Sequence, residues 1–298
     1  MKAMTLAAPA KINLTLDILG TRPDGYHDMY MVMQSVSLCD RVSLEPSPEE
    51  GIRAESGLRF LPNDRKNLAV SAALAFYEAT GQTPGGLTIR LDKRIPVCAG
   101  TAGGSSDAAA VLRGLNDLTG AGLSPEALAE IGAGVGSDVP YCVLGRTMLA
   151  EGRGEVLTPL PDLPFCHILL CKPPFPISTP ALFREWDRQK RRLRPDTGGL
   201  IQALEEGDLP GVARRVYNVF EAVLPPAQRR EIDRIKNAMI QAGALGSAMT
   251  GSGPTVFGLF SAEEAARAAE AQLREQYQEV FLTVPVQAGA VPPESGEA

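Results

Sequence analysis

Lys93 to Leu112, KRIPVCAGTAGGSSDAAAVL, concentrates residue types that hold phosphate. Gly100, Gly103 and Gly104 let the backbone approach a ligand, and Ser105-Ser106-Asp107 then opens a helix. A helix N-terminus offers free N–H groups and the positive end of its dipole, which attract anions. The Ser105 and Ser106 hydroxyls can bond phosphate oxygens or reach a magnesium ion. A serine-capped helix packed through small residues would use the same letters.

Three well-known phosphate loops do not fit. A Walker A loop needs Gly-Lys-Ser/Thr, and no lysine follows Gly104. A dinucleotide fingerprint needs GxGxxG with an acidic partner about 20 residues on, and GTAGGS has neither. The HRD and DFG motifs of protein kinases are absent.

Other residues suit a transfer reaction. Phosphoryl transfer needs positioning, charge stabilisation and a group to receive the hydroxyl proton. Asp138, in GSDVP, suits a general base if it lies near the acceptor; it equally suits a turn or cap. Lys11, in KINLTLDIL, can stabilise developing negative charge, or can be a solvated strand lysine. Asn13 follows at a spacing of two, so it shares the face of Lys11. Tyr26 and His27 follow a turn, Arg22-Pro23-Asp24-Gly25, built from residues that preset φ, bond their own backbone and tolerate positive φ. A tyrosine there can stack on a flat ring; a lone histidine after a turn is as readily structural.

The whole chain limits the partners. At 298 residues it suggests two domains, and 44% hydrophobic content allows a normal core. A net charge of −6 disfavours nucleic acid. The basic run Arg188 to Arg194 reads as a solvated face or a local anion patch. Five cysteines without a CxxC pair read as reduced thiols in a cytoplasmic protein, not a disulfide frame or a zinc site. The N-terminal apolar stretch is broken by Pro9 and Lys11, which is too short for a signal peptide. No run approaches the roughly 20 apolar residues of a membrane span.

The elements that must present these groups alternate along the chain. KINLTLDIL alternates Ile12, Leu14, Leu16 and Ile18 against Lys11, Asn13, Thr15 and Asp17, a strand period. MYMVMQSVSL and DRVSLEP read as two further strands, Asn67 to Thr80 as a helix stopped by Gly81, and GLTIRLDKRIP as a strand. A helix is expected from about Ser106 to Leu118 and another from Ser124-Pro125-Glu126. GSDVPYCVLG reads as a loop entering an apolar segment, and LTPLPDLP as a linker or crossover. FCHILLCKP, helices to about Ala242, TVFGLF, a helix and EVFLTVPV complete the pattern, with PPESGEA a disordered tail.

The stretch from Pro96 to Ser106 resembles the PxxxGxxGSS loop of the GHMP kinases, small-molecule kinases that include galactokinase, homoserine kinase and mevalonate kinase. PAKINL (Pro9 to Leu14) and AMTGSGPTVFGLF (Ala248 to Phe260) match two further motifs of that superfamily, in the right order. PAKINLTLDILGTRPDGYHD and GSDVPYCVLG resemble the branch acting on a CDP-linked methylerythritol in non-mevalonate isoprenoid synthesis. The openings typical of galactokinase, mevalonate kinase and homoserine kinase are absent. The resemblance covers nearly the whole chain and is weakest between Lys190 and Pro226.

The resemblance implies an α+β, two-domain GHMP-kinase fold: an N-terminal α/β domain over 1–157 and a ferredoxin-like α+β domain over 158–298. It also implies a left-handed β-α-β crossover, against the usual hand. It implies ATP with Mg2+ as cofactors, and catalytic roles for Lys11 and Asp138. ATP would be held by Pro96, Val97, Cys98, Ala99, Gly100, Thr101, Ala102, Gly103, Gly104, Ser105 and Ser106, with Asn67 near the adenine unless it is an N-cap. Asn13, Tyr26, His27, Thr179 and Phe183 would bind substrate, with the cytosine between the rings of Tyr26 and Phe183 and read by the main chain of His27. Cys98 and Thr101 stand where the family often has a small residue and leucine, which leaves the loop's N–H groups in place. Partners would be small molecules alone, with no nucleic acid or membrane, and the chain a monomer or weak homodimer. Another GHMP kinase acting on a sugar or mevalonate-like alcohol is the alternative enzyme; a silent nucleotide-binding protein on this scaffold is the alternative of a different class.

Overall fold

The computed structural model describes residues 3–189 and 193–287. Lys190, Arg191 and Arg192 of the basic run, and the tail PPESGEA, lie outside them. The chain forms two compact units built from interleaved segments: residues 1–10, 39–97 and 102–145 in the first, and 11–38, 98–101 and 146–298 in the second. Strands β1 (Met4–Thr21) and β2 (His27–Pro46) therefore contribute to both.

In the first unit, the end of β2 pairs antiparallel with β4 (Leu87–Asp92), from Arg41↔Asp92 to Pro46↔Leu87. Strand β3 (Ile52–Ser56) pairs parallel with β4, and helix α1 (Leu68–Thr80) forms the crossover between them. Helix α1 starts at the Asn67 cap and stops at Gly81, whose φ of 66° favours glycine. It packs along α2 (Gly103–Thr119), with buried Ala69, Ala72 and Ala73 on one helix and Ala108, Ala109 and Ala110 on the other. Small side chains permit that close approach. Helices α3 (Pro125–Ala133) and α4 (Val139–Leu144) pack against each other and against α2.

In the second unit, the start of β2 pairs antiparallel with β5 (Thr147–Gly152), and β6 (Val156–Pro159) adds to β5. A separate antiparallel sheet has the order β11-β7-β10-β9, with β7 (His167–Lys172), β9 (Gly246–Met249), β10 (Val256–Phe260) and β11 (Glu279–Thr283). In chain order that is 4-1-3-2, the ferredoxin-like arrangement expected of the C-terminal half. Between β7 and β9 run α5 (Thr179–Arg188), α6 (Thr197–Glu205), α7 (Leu209–Ala213), the two-residue β8 (Tyr217–Asn218), a 3₁₀ turn (Val219–Val223) and α8 (Pro226–Gln241). Strand β8 pairs parallel with β1 at Thr15↔Tyr217 and Leu16↔Asn218. Helices α8 and α9 (Glu263–Arg274) pack on the four-stranded sheet.

Several expectations need correction. MYMVMQSVSL and DRVSLEP form one 20-residue strand. Asp40 suggested a break, yet it is buried in mid-strand with its carboxylate bonded on both oxygens. The polar face of KINLTLDIL is not solvated: Lys11, Asn13, Thr15 and Asp17 are all buried, as are the apolar residues that alternate with them. Helix α2 starts three residues earlier than expected, because Gly103 and Gly104, poor helix formers, occupy its first turn. GSDVPYCVLG contains helix α4, and the proline-rich LTPLPDLP begins as β6, in register with β5 through Met148↔Pro159.

Candidate active site

Three motifs far apart in sequence meet at Thr250, all within the second unit. Its hydroxyl accepts the backbone N–H of Asn13 (3.0 Å) and lies 3.4 Å from both the Asn13 side-chain oxygen and the Gly100 carbonyl. The Lys11 N–H donates to the Thr101 carbonyl at 3.1 Å. A Cβ on Gly100 would sit 2.2 Å from the Thr250 carbonyl oxygen, so the loop touches the TGSGP turn backbone to backbone and only glycine fits. The φ of 77° at Gly100 imposes the same choice. Asn218 braces the turn from below by donating to the carbonyls of Met249 and Gly251, both at 2.8 Å.

This packing fixes Lys11. Its side chain is buried, and its ammonium donates to the Asn13 side-chain oxygen at 2.7 Å. The Asn13 amide nitrogen points to the Met31 sulfur at 3.4 Å. A buried ammonium is suited to stabilising an arriving negative charge.

The loop's other end belongs to the first unit. Ala102 takes φ 57° immediately before α2; Cys98, exposed and in the second unit, takes φ 53°. Non-glycine residues at such angles are uncommon and cluster where surrounding structure holds them. Ser106 is fully buried and donates to the Pro9 carbonyl at 2.7 Å, which ties α2 to β1. Ser105 is only half-buried. A Cβ on Gly136 would lie 4.0 Å from its Oγ, so the segment leading to Asp138 runs beside the start of α2. Asp138 is the half-buried N-cap residue of α4.

Behind α2 lies a buried ionic cluster that the sequence did not announce. Lys93 donates to both Asp40 and Asp107. Asp40 also accepts the N–H groups of Arg94 (2.5 Å) and Ile95 (2.8 Å), the residues leading into the loop. Burial pushes Asp107 up to about 7, against the pull of Lys93. Its Oδ1 has no hydrogen-bond partner among the described residues, which a protonated acid tolerates better than a carboxylate does. Burial weighs against the Lys93 ammonium, but its interactions with Asp107 and Asp40 more than offset it and hold Lys93 above its ordinary range.

The aromatic end of the site lies in the second unit. The turn forms as expected: Gly25 has φ 82°, and the Asp24 carboxylate accepts the Tyr26 N–H at 3.1 Å. That bond is the main cause of Asp24 lying below the usual carboxylate range. Tyr26 is 54% exposed, so its ring is available. His27 is not: its imidazole stacks on Phe183 with centroids 4.4 Å apart, and its Nε2 lies 2.9 Å from Asp187 Oδ1. Phe183 also meets Phe220 at right angles, 5.0 Å away. The structure therefore brings Phe183 to His27 and leaves Tyr26 with Arg153 over its ring at 4.6 Å.

Helix α5 explains the clustering. Thr179, Phe183 and Asp187 recur every four residues along one face, while Leu182 and Trp186 bury the other. Thr179, at its first turn, donates to the Ser252 hydroxyl at 2.8 Å, so α5 is anchored to the TGSGP turn. The four-residue spacing was a usable signal for Asp187. Thr250, Asn218 and Arg153 left none, because their positions depend on strand register and on contacts between distant segments. Asn67 caps α1: its oxygen accepts the Ala69 N–H (3.0 Å) and its amide donates to Pro62 (2.9 Å), so both ends of the side chain are engaged.

Comparison with known proteins gives the family. Residues 67–146 match the GHMP kinases N terminal domain, and residues 200–279 match GHMP kinases C terminal. A 4-diphosphocytidyl-2-C-methyl-D-erythritol kinase of Lachnospira eligens is 46% identical over 276 residues, covering 93% of this chain and 95% of that one. The kinase of the same name from Geobacillus kaustophilus is 48% identical over 257 residues, covering 86% and 88%. A crystal structure of a 4-(cytidine 5'-diphospho)-2C-methyl-D-erythritol kinase superposes with a TM-score of 0.80 at 34% identity, covering 96% of this chain and all of that one. The homoserine kinase of Cytophaga hutchinsonii, at 22% identity and a TM-score of 0.73, shares the fold. With both domains matched in order and full-length relatives well above 40% identity, the chain belongs to the 4-diphosphocytidyl-2-C-methyl-D-erythritol kinase family of the GHMP kinases.

Proposed function

We propose that this protein transfers the γ-phosphoryl group of ATP to a hydroxyl of 4-diphosphocytidyl-2-C-methyl-D-erythritol, giving the 2-phosphate for non-mevalonate isoprenoid synthesis. The observation that carries the reading is the meeting of three kinase motifs at Thr250, with Lys11 buried beside them. The backbone from Pro96 to Ser106 would cradle the ATP phosphates at the start of α2, where free N–H groups and the helix dipole favour them. Asp138 would accept the proton of the attacking hydroxyl, and Lys11 would stabilise the charge that develops as the phosphoryl group moves. Tyr26 would stack on the cytosine, His27 would read its edge through the main chain, and Asn13, Thr179 and Phe183 would complete the substrate side. The engagement of the His27 imidazole by Phe183 and Asp187 supports a main-chain role.

Mg2+ would supply charge shielding of the nucleotide when bound. No group of three or more His, Cys, Asp or Glu is gathered for a metal among the described residues. Its ligands would include the nucleotide's own oxygens, and the half-buried Ser105 hydroxyl would be a protein candidate, since Ser106 donates to Pro9. No helix among the described residues is long and apolar enough to cross a membrane, and we read the enzyme as cytoplasmic, a monomer or weak homodimer. The functional division would fall near residue 157, between the two matched family segments.

The test is ADP release in a coupled assay with the CDP-linked methylerythritol, mevalonate, homoserine and galactose supplied separately. Turnover confined to the first is the expected result. Turnover confined to any of the others would overturn the substrate assignment.

A further inference from the structure

Arg153 sits in the turn between β5 and β6, where no sequence motif draws attention to it. The turn is tightly made. Gly152 and Gly154 take φ 68° and 109°, the Gly154 N–H donates to the Glu151 carbonyl at 3.0 Å, and the Glu155 carboxylate accepts the Arg153 N–H at 2.6 Å. The Glu155 side chain is thus engaged by the turn's own backbone. The register Met29↔Gly152 brings this turn beside the start of β2, three residues after Tyr26.

The guanidinium then lies over the Tyr26 ring, 4.6 Å from its centroid. Among the described residues it has no carboxylate within ion-pair distance, although ion pairs cluster close by: Arg22 takes both Asp24 and Asp28. A planar cation over the face of an aromatic ring is attracted by the ring's quadrupole, and arginine is well shaped for it. The contact covers one face of the ring, and Tyr26 remains 54% exposed with it in place.

We propose that Arg153 is a positioning residue for pyrimidine recognition: it backs the Tyr26 ring and holds it in the plane that stacks on the substrate's base. The inference rests on the reading that Tyr26 stacks on the cytosine. An exposed tyrosine must give up rotamer freedom when a base stacks on it, and a ring already held gives up less. Because the contact exists before the substrate arrives and involves neither Lys11 nor Asp138, it changes substrate affinity and leaves the chemical step alone.

The experiment compares Arg153→Met, Arg153→Lys, Tyr26→Ala and the double variant Tyr26→Ala/Arg153→Met in steady-state kinetics with ATP and the CDP-linked methylerythritol. Arg153→Met is expected to raise KM for the CDP-linked substrate about two- to fivefold, the size of a partly exposed cation–π contact. KM for ATP and kcat should hold, and Arg153→Lys should recover most of the loss. In the Tyr26→Ala background Arg153→Met should add nothing. An unchanged or lowered KM in Arg153→Met, with Tyr26→Ala still impaired, overturns this inference alone. Losses that multiply in the double variant overturn it as well, since Arg153 would then touch the substrate directly. If Tyr26→Ala leaves KM for the CDP-linked substrate unchanged, the stacking reading beneath the inference fails and the inference with it.

Discussion

The Lys11 ammonium donates to the side-chain oxygen of Asn13 across 2.7 Å of buried strand. Two residues apart on β1, they point to the same side, and Thr250 bonds the Asn13 backbone from a segment 237 residues away. The Asn13 side chain thus takes part in holding the lysine, while the Asn13 backbone is tied to a hydroxyl far along the chain.

If Lys11 and Asp138 carry the chemistry, Lys11→Met and Asp138→Asn should fold normally and lower kcat by about 10²- to 10⁴-fold, the range for loss of a positioned proton acceptor. Methionine keeps the volume of the buried lysine stem. KM for either substrate should move much less than kcat, because both groups act on charge that appears during transfer. Stopped-time ADP assays with circular dichroism on the same samples check this. Near-normal kcat in either variant removes that residue from the reaction.

Thr250→Val keeps the shape of the side chain but leaves the buried Asn13 N–H without its acceptor. The expected cost is about 1–3 kcal/mol in urea unfolding, together with a raised KM for ATP, since Gly100 packs on the same residue. Thr250→Ser retains the hydroxyl and should restore both. Equal behaviour of the valine and serine variants would assign the effect to packing and leave the hydrogen bond without a role.

Asp107 gives a pH prediction of defined sign. Its ordinary value is 3.8, and burial raises it to about 7 in the folded protein. Between these values the folded state holds more protons than the unfolded state, so this group's contribution to stability falls as pH rises from about 4 to 7 and is level above that. Asp107→Asn removes the slope. Relative to wild type, the variant should gain stability between pH 4.5 and pH 8, on the order of a few kcal/mol. Thermal melts of both proteins across that range give the difference, in which the opposite contributions of surface carboxylates such as Asp24 and Asp196 cancel. A difference that does not change with pH would mean that Asp107 is ionised throughout.

The glycine-rich loop with the helix after it, the turn before Tyr26 and the cap at Asn67 were legible because each depends on a few neighbouring residues: glycines at positive φ, a side chain bonding its own backbone, a serine-rich helix start. The alternation of strand and helix made a mixed two-domain architecture legible, and the ferredoxin-like order of the second half came from the family resemblance. Polarity misled at Asp40 and at Lys11, where buried partners replace the solvent that a polar residue usually signals. The pairing of His27 with Phe183 and Asp187 was half visible, since spacing places the last two on one face of α5 while nothing local brings β2 to them. Thr250 and Arg153 owe their positions to strand register and to contacts across long stretches of chain, which periodicity does not encode.

The interleaving of the two units has a consequence for how the protein is made. The second unit draws on residues 11–38, 98–101 and 146–298, so no contiguous stretch of the emerging chain can complete it. Ribosomes release domains one at a time when their boundaries follow the sequence; here Lys11 leaves the ribosome early and waits for Thr250. A chain halted between residues 139 and 249 already carries Lys11, Asn13 and Gly100 and still lacks the hydroxyl that Asn13 and Gly100 meet. The packing of Gly100 and Asn13 on Thr250 is therefore made only after residue 250 has been synthesised.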